Sequence, residues 1–173
     1  MASDIRKIKY LLTYNKKDLL IGLLFSLFFT ILYYFIYQKI SPVIFDKDTD
    51  FWFQADLIRI VDIMSFRDSL WNYRSSVHPF FTLFAFPPAY FFEKAFNISG
   101  LQAIQITCSL VIFCWYLTLY LILRYLKLKI VDALILLLMA SVTSSCLFWF
   151  AIPETYSFGS LTMLFSILIL FML

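Results

Sequence analysis

The chain has 173 residues, of which 62% are apolar and 14% charged, and its formal net charge is +3. A soluble domain has about 45–50% apolar and about 25% charged residues, so this composition excludes a water-soluble globule. It also excludes a disordered chain, and we therefore predict an integral membrane protein.

The first apolar segment, at about 19–37, contains 19 residues without a charge. As a helix it is about 28 Å long, which is enough to cross a bilayer. No cleavage site of small residues follows it, so we predict an uncleaved signal anchor. Basic residues outnumber acidic ones before it, so the positive-inside rule predicts a cytoplasmic amino terminus. The basic residues are Arg6, Lys7, Lys9, Lys16 and Lys17, and the acidic ones are Asp4 and Asp18.

A polar stretch at 38–77, predicted to be an outer loop, begins with three carboxylates at alternate positions: Asp46, Asp48 and Asp50. On an extended segment, alternate side chains point to the same side, so these carboxylates are able to converge on a divalent cation or a substrate. The alternative interpretation is a solvated loop that keeps this part of the chain out of the lipid.

The next part of this loop, at about 51–73, has polar residues at three-residue spacing with apolar residues between them. Asp56, Arg59 and Asp62 mark the polar side. This pattern predicts an amphipathic helix at the membrane interface. Such helices are most often structural supports.

Arg74 and His78 follow where the chain re-enters the membrane, and His78 is the only histidine. An arginine can bind phosphate oxygens through two parallel hydrogen bonds, and a histidine can add a contact or a proton. The two residues therefore form a candidate phosphate site. For His78, which precedes Pro79, the alternative is a structural contact.

Four apolar segments follow, at 78–92, 98–123, 133–152 and 155–173. The last three are each long enough to cross a bilayer. The first is short and contains three prolines, so we predict a re-entrant segment, with a broken helix or a tilted crossing as alternatives. The prolines are Pro79, Pro87 and Pro88.

The loop at 124–132 is basic, and the positive-inside rule predicts that it is cytoplasmic. With the amino terminus on the same side, 78–92 is re-entrant and Glu154 emerges on the outer side. If 78–92 crosses fully, the loop lies outside, against the rule. Glu154 is the only charged residue after Asp132. An ionised carboxylate within lipid costs at least ~2.5–3.5 kcal/mol, so we expect Glu154 to face a cavity or the interface, or to lie in a simple turn.

The chain stops at Leu173 within an apolar run, without a polar tail. We therefore expect the amino-terminal piece of a longer protein, with a last helix that is truncated. The alternative is a short protein whose last helix ends there.

These features in this order resemble the GT-C superfamily of polytopic glycosyltransferases, which use sugars linked to polyprenyl phosphates. The signal anchor is followed by an acidic loop that contains Asp50-Phe51-Trp52, and then by the amphipathic region. Ser76-Val77-His78-Pro79-Phe80 is similar to a His-Pro-Pro-Leu element that opens a membrane segment in several of these families. Pro153-Glu154-Thr155-Tyr156 is similar to a Pro-Glu step after a later helix. The four features together span most of the chain.

The resemblance implies an inverting transfer of a sugar from a polyprenyl phosphate to a lipid, glycan or protein on the extracytoplasmic face. Asp50 matches the carboxylate that takes the acceptor proton, with Asp48 as the second choice. Arg74 and His78 would hold the departing phosphate, and Glu154 would support the site.

For the cofactor, the resemblance allows a divalent cation, Mg²⁺ or Mn²⁺, shared by Asp46, Asp48 and Asp50, although some relatives need none. This chain departs from the family because Phe80 replaces the second proline of the His-Pro-Pro element. Family members also have eight or more crossings, so we expect this chain to hold only part of an active site and to be inactive by itself.

The sequence thus predicts a single all-α membrane domain over 1–173: a polytopic helical bundle with an extracytoplasmic loop of amphipathic juxtamembrane helices. The expected location is the bacterial inner membrane, and the expected partners are a lipid-linked sugar donor and membrane lipids. Nucleic-acid binding is not predicted because the basic residues flank membrane segments. Two alternatives remain: a non-catalytic assembly or interaction protein, and a small transport subunit.

Overall fold

The computed structural model describes residues 16–39, 57–65 and 81–173, and these residues form helices with no β-strand among them. This confirms the all-α class. Within this part of the chain, three helices are long and apolar enough to cross a membrane: α1, α4 and α7. In chain order the helices are α1 (Lys16–Lys39), α2 (Leu57–Ser65), α3 (Phe81–Phe96), α4 (Gly100–Tyr125), α5 (Ile130–Ser141), α6 (Ser144–Trp149) and α7 (Thr155–Met172).

Helices α1 and α4 pack side by side in opposite directions. At one end of the pair, Asp18 of α1 is bonded to Arg124 of α4. At the other end, the Gln38 side-chain amide donates to the Gln105 side-chain oxygen at 3.1 Å. We call these the Asp18 end and the Gln38 end of the bundle. The basic residues that start α1 and those that follow α4 therefore share the Asp18 end.

Aromatic side chains fill the space between α1 and α4. The rings of Phe29 and Tyr116 stack with centroids 4.6 Å apart, and both side chains are almost completely buried. The Tyr33 hydroxyl donates to the Ser141 carbonyl at 2.9 Å, which joins α1 to the end of α5. These large rings contribute much of the apolar area that is buried in this core, and the tyrosine hydroxyl groups form hydrogen bonds.

The predicted crossing at 133–152 is not one helix, because the structure divides it into α5 and α6. Thr143 lies between them, and its side-chain oxygen accepts a hydrogen bond from the Cys146 amide at 3.3 Å. A threonine that caps a new helix in this way competes with continuation of the previous one. After α6, the Phe150 side chain packs in the aromatic core, and its ring centroid lies 5.6 Å from that of Tyr33. With its 12 residues, α5 is about 18 Å long, which is too short to cross a bilayer unaided.

Two prolines of the 78–92 segment, Pro87 and Pro88, do not divide the helix that contains them. Helix α3 continues through Pro87 and Pro88 to Phe96. Small side chains on its buried side, Ala85 and Ala89, allow close packing against the neighbouring helices, and this packing compensates for the backbone hydrogen bonds that proline removes. Asn97, with a φ of 50°, then reverses the chain into α4.

Helix α2 lies within the predicted amphipathic region and buries its apolar side. Ile60, Ile63 and Met64 are each less than 9% exposed, and they pack with residues of α3 and α4, among them Phe81 and Ile104. Packing of this kind attaches α2 to the bundle near the start of α4. The interfacial helix predicted from periodicity is therefore held by protein contacts, at least over 57–65.

Candidate functional site

Most of the site residues predicted from sequence lie outside the described residues. These are the acidic cluster of Asp46, Asp48 and Asp50, and the phosphate-binding pair Arg74 and His78. Their proposed roles therefore stay predictions. Glu154 is the predicted site residue that the structure describes.

Glu154 is a buried carboxylate at the start of α7. Its side chain is only 4% exposed, and one carboxylate oxygen accepts a hydrogen bond from the Thr155 amide at 3.0 Å. Its carbonyl accepts a hydrogen bond from the Ser157 hydroxyl, also at 3.0 Å. A negative charge at a helix amino terminus meets unpaired N–H groups and the positive end of the helix dipole. These contacts explain how the chain accommodates a carboxylate where the sequence is otherwise apolar.

The charge state of Glu154 depends on two opposing influences. Burial raises the pKa of Glu154 above its ordinary value, and this is the larger influence. The Thr155 amide and the positive charge of Arg59 lower the pKa in part. Arg59 belongs to α2, so the electrostatic influence on Glu154 comes from the amphipathic helix as well as from α7.

Glu154 lies toward the Gln38 end of the bundle. Phe158 lies one turn further along α7, and its ring centroid is 5.1 Å from that of Phe81. It also packs on the hydrophobic cluster that contains Ile104. At this end α1 and α4 also bury polar groups, since Gln105 is 7% exposed and its side-chain oxygen accepts a hydrogen bond from Gln38 at 3.1 Å. Buried polar and ionisable groups within membrane proteins are costly and often mark functional sites.

The two segments that carry the other predicted site residues both attach at this end. The acidic segment joins Lys39, at the end of α1, to Leu57, at the start of α2. The segment with Arg74 and His78 joins the end of α2 to Phe81, which packs against Phe158 of α7. The described residues that flank both segments therefore belong to the end of the bundle that holds Glu154.

The described residues hold no group of three or more histidine, cysteine, aspartate or glutamate side chains that is able to bind a metal ion. The three carboxylates predicted to share a cation lie in the segment between α1 and α2, outside this part of the chain. The predicted metal site therefore remains a prediction.

One buried charged cluster was not predicted from sequence, and it lies at the Asp18 end. Arg124 donates from Nη2 to Asp18 Oδ2 at 2.6 Å and from Nε to the same oxygen at 2.9 Å. The Tyr120 hydroxyl also donates to the Asp18 carboxylate, and Arg124 donates to the Leu128 carbonyl. The sequence offered one signal for this cluster, which is that opposite charges lie at the start of one apolar run and at the end of another, Asp18 and Arg124. This cluster joins two helices through hydrogen bonds among its own members, so we regard it as structural.

Comparison of this chain with protein-family models, with curated proteins and with solved structures found no match. The resemblance to the GT-C superfamily therefore rests on the four sequence features and stays a prediction.

Substitution of Glu154 separates its capping role from its charge. We expect Glu154→Ala to lower the free energy of unfolding by about 1 kcal/mol, because the Thr155 amide loses its acceptor. Glu154→Gln keeps an oxygen acceptor and removes the buried charge, so the contribution of position 154 to stability should no longer depend on pH. Because the folded-state pKa is raised, the wild-type protein binds the proton more readily when folded. Its stability relative to Glu154→Gln should therefore be greatest below the ordinary value of 4.5 and should fall as the pH rises through the raised pKa.

The measurement is thermal unfolding of the purified protein in detergent micelles between pH 4 and pH 8. Ser160→Ala, a substitution in the next turn of α7, provides the control, since it alters no ionisable group. A constant difference between the wild-type protein and Glu154→Gln at every pH would contradict the raised pKa.

Proposed function

We propose that this chain is part of a membrane glycosyltransferase of the GT-C type, which transfers a sugar from a polyprenyl phosphate to a lipid, glycan or protein acceptor. The observation that carries the proposal is the buried Glu154 within the electrostatic field of Arg59, at the end of the bundle where the acidic segment and the Arg74–His78 segment attach. A buried carboxylate that is influenced by a nearby cation is typical of functional sites, and such a pair is suited to the handling of a phosphate-linked substrate.

In the proposed reaction, Asp50 accepts the proton of the acceptor hydroxyl, and Asp48 is the alternative base. The acceptor oxygen forms a bond to the anomeric carbon of the sugar from the face opposite the phosphate. The bond between that carbon and the phosphate oxygen breaks, and its electron pair leaves with the polyprenyl phosphate. Arg74 and His78 stabilise the additional negative charge on the departing phosphate. This arrangement inverts the configuration of the sugar.

Glu154 and Arg59 support this site without touching the reacting atoms. The carboxylate influences a cation on α2, and α2 connects the two segments that would carry the base and the phosphate ligands. If a cation takes part, Asp46, Asp48 and Asp50 would hold Mg²⁺ or Mn²⁺ through the carboxylate oxygens that these ions prefer, and the cation would help to neutralise the phosphate.

We further propose that the Asp18 end of the bundle faces the cytoplasm, as in a protein of a bacterial inner membrane. Supporting this orientation, Lys16 and Lys17 lie at the same end as Arg124, Lys127 and Lys129. Positive residues near spanning helices are retained on the cytoplasmic side. The Gln38 end, with Glu154, then lies on the extracytoplasmic side.

Substitution of the proposed base tests the function. Membranes that contain the full-length protein would be incubated with radiolabelled polyprenyl-phosphate glucose, mannose, galactose and glucosamine, and release of the sugar would be measured. We expect at least one donor to be consumed by the wild-type protein, and we expect Asp50→Asn to lower that rate by about 100-fold or more, because general base catalysis contributes about 10²–10⁴-fold.

The matched control is Asp56→Asn, which neutralises a carboxylate on the predicted supporting helix and should keep most of the activity. Labelling of cysteines placed at positions 48 and 127 should verify that both variants insert as the wild-type protein does. Equal rates for Asp50→Asn and the wild-type protein would exclude Asp50 as the base. Consumption of none of the donors by the wild-type protein would favour the non-catalytic alternatives.

A further inference from the structure

Two segments that are far apart in the sequence bring lysines to the same end of the bundle. Lys16 begins α1, and Lys127 and Lys129 lie in the turn between α4 and α5. The buried ion pair of Asp18 with Arg124 holds these two segments together. We call the exposed surface formed by Lys16, Lys127 and Lys129 the lysine surface.

Hydrogen bonds fix the turn that carries two of these lysines. The Lys127 amide donates to the Arg124 carbonyl at 3.0 Å, and Lys127 has a φ of 63°. The Leu128 amide donates to the Leu123 carbonyl at 3.3 Å, and the Leu128 carbonyl accepts from the Arg124 guanidinium. A ligand that binds here therefore does not have to order the backbone first, which lowers the entropic cost of binding.

The charge of the lysine surface is not neutralised within the described part of the chain. All three lysines are exposed, and none of them has a carboxylate within salt-bridge distance among the described residues. The described acidic residues at this end are Asp18, which is bonded to Arg124, and Asp132 in the first turn of α5. One remaining carboxylate does not balance three lysines, so this surface attracts an anion.

Exposed apolar side chains lie beside the lysines on the same helices. On α1, Leu20 and Leu24 follow Lys16 at four-residue spacing, so they lie on the same side of the helix, and both are exposed. On α5, Val131 and Ile135 are exposed at the same spacing. A phospholipid presents an anionic head group and then hydrocarbon chains in this order. A free phosphate or an acidic soluble protein would match the lysines alone.

We propose that the lysine surface binds the head group of an anionic membrane phospholipid with one net negative charge, such as phosphatidylglycerol. The lysine ammonium groups donate hydrogen bonds to its phosphate oxygens, and its hydrocarbon chains lie along the exposed apolar sides of α1 and α5. The inference goes beyond the proposed glycosyl transfer, since it involves neither the acidic segment nor a sugar donor.

Native mass spectrometry of the full chain, released from detergent micelles that contain one added lipid, tests the proposal. The two lipids compared are phosphatidylglycerol and phosphatidylcholine with the same oleoyl chains. We expect the wild-type protein to bind the first phosphatidylglycerol at least about tenfold more tightly, because each lysine near an anionic head group contributes roughly fivefold. The variant Lys16→Gln/Lys127→Gln/Lys129→Gln should reduce this preference to about twofold or less.

The matched control is Lys94→Gln, which removes an exposed lysine at the Gln38 end and should leave the preference unchanged. Thermal unfolding in the same detergent shows whether the triple variant is folded. If it is not, Lys127→Gln alone should lower the preference about fivefold.

Glycerol 1-phosphate, which has the charged head without the chains, should not displace the bound lipid even in large excess. Its displacement of the lipid would indicate a site for a free phosphate and would overturn the proposal. A preference that the lysine variants retain would overturn it as well. Equal binding of the two lipids by the wild-type protein would also overturn it, and would favour an acidic protein segment as the partner of these lysines.

Discussion

Replacement of Asp18 by alanine is expected to destabilise the protein by about 3–5 kcal/mol. The Asp18 side chain is 5% exposed and that of Arg124 is 14% exposed, so the substitution would leave a cation buried without its anion. Tyr120 would lose one of its two acceptors in the same step, because its hydroxyl donates to the Asp18 carboxylate as well as to the Asp18 carbonyl. Equilibrium unfolding of the full chain in mixed detergent micelles would measure the change.

Two comparisons show whether the cost arises from the buried pair. In the double variant Asp18→Ala/Arg124→Ala both charges are absent, so its destabilisation should be smaller than the sum of the two single effects. Glu93→Ala breaks a second ion pair, to Lys94 at 2.7 Å, but the Lys94 side chain is 59% exposed. We expect Glu93→Ala to have no measurable effect, because solvent screens exposed pairs. Similar losses for Asp18→Ala and Glu93→Ala would contradict burial as the cause.

Substitution of Gly22 by alanine is expected to destabilise the protein by about 1–3 kcal/mol, as for other overpacked contacts. A Cβ atom added there would lie 2.6 Å from Cε1 and 3.2 Å from Cγ of Tyr120. The ring cannot move away without cost, because the Tyr120 hydroxyl is bonded to the carboxylate and the carbonyl of Asp18. The close approach of α1 to α4 therefore depends on the absence of a side chain at Gly22.

Gly159→Ala provides the matched control for Gly22→Ala, since a Cβ atom there has no neighbour within 4 Å. This substitution should leave the stability unchanged or raise it by about 0.5–1 kcal/mol, because alanine favours the helix more than glycine does. Both variants are compared by unfolding in the same mixed micelles. If Gly22→Ala were as stable as Gly159→Ala, the contact between α1 and α4 would have to be looser than the structure indicates.

The location of the apolar helices was accessible from sequence because the thickness of a bilayer sets the length of an apolar run. The predicted spans at 19–37, 98–123 and 155–173 each coincide closely with one of the three long apolar helices. The break within 133–152 was not predicted, because the segment contains no charged residue, proline or glycine. Thr143, Ser144 and Ser145 were the local signal, and their effect depends on whether a cap forms.

For the candidate site, the sequence predicted that Glu154 would need a cavity, an interface or a turn, and the structure places it buried at a helix start. It did not predict the influence of Arg59 on Glu154, because the two residues lie on helices distant in sequence. The roles of Asp50, Arg74 and His78 stay predictions.

The sequence by itself determined that this protein is a bundle of apolar helices, because composition and the length of apolar runs are local properties of the chain. Only the tertiary structure decided that Asp18 pairs with Arg124, that Gly22 admits the Tyr120 ring, and that Phe150 packs against Tyr33. Such contacts join residues far apart in sequence. They depend on how the helices approach one another. Side-chain shape and buried charge together determine that approach.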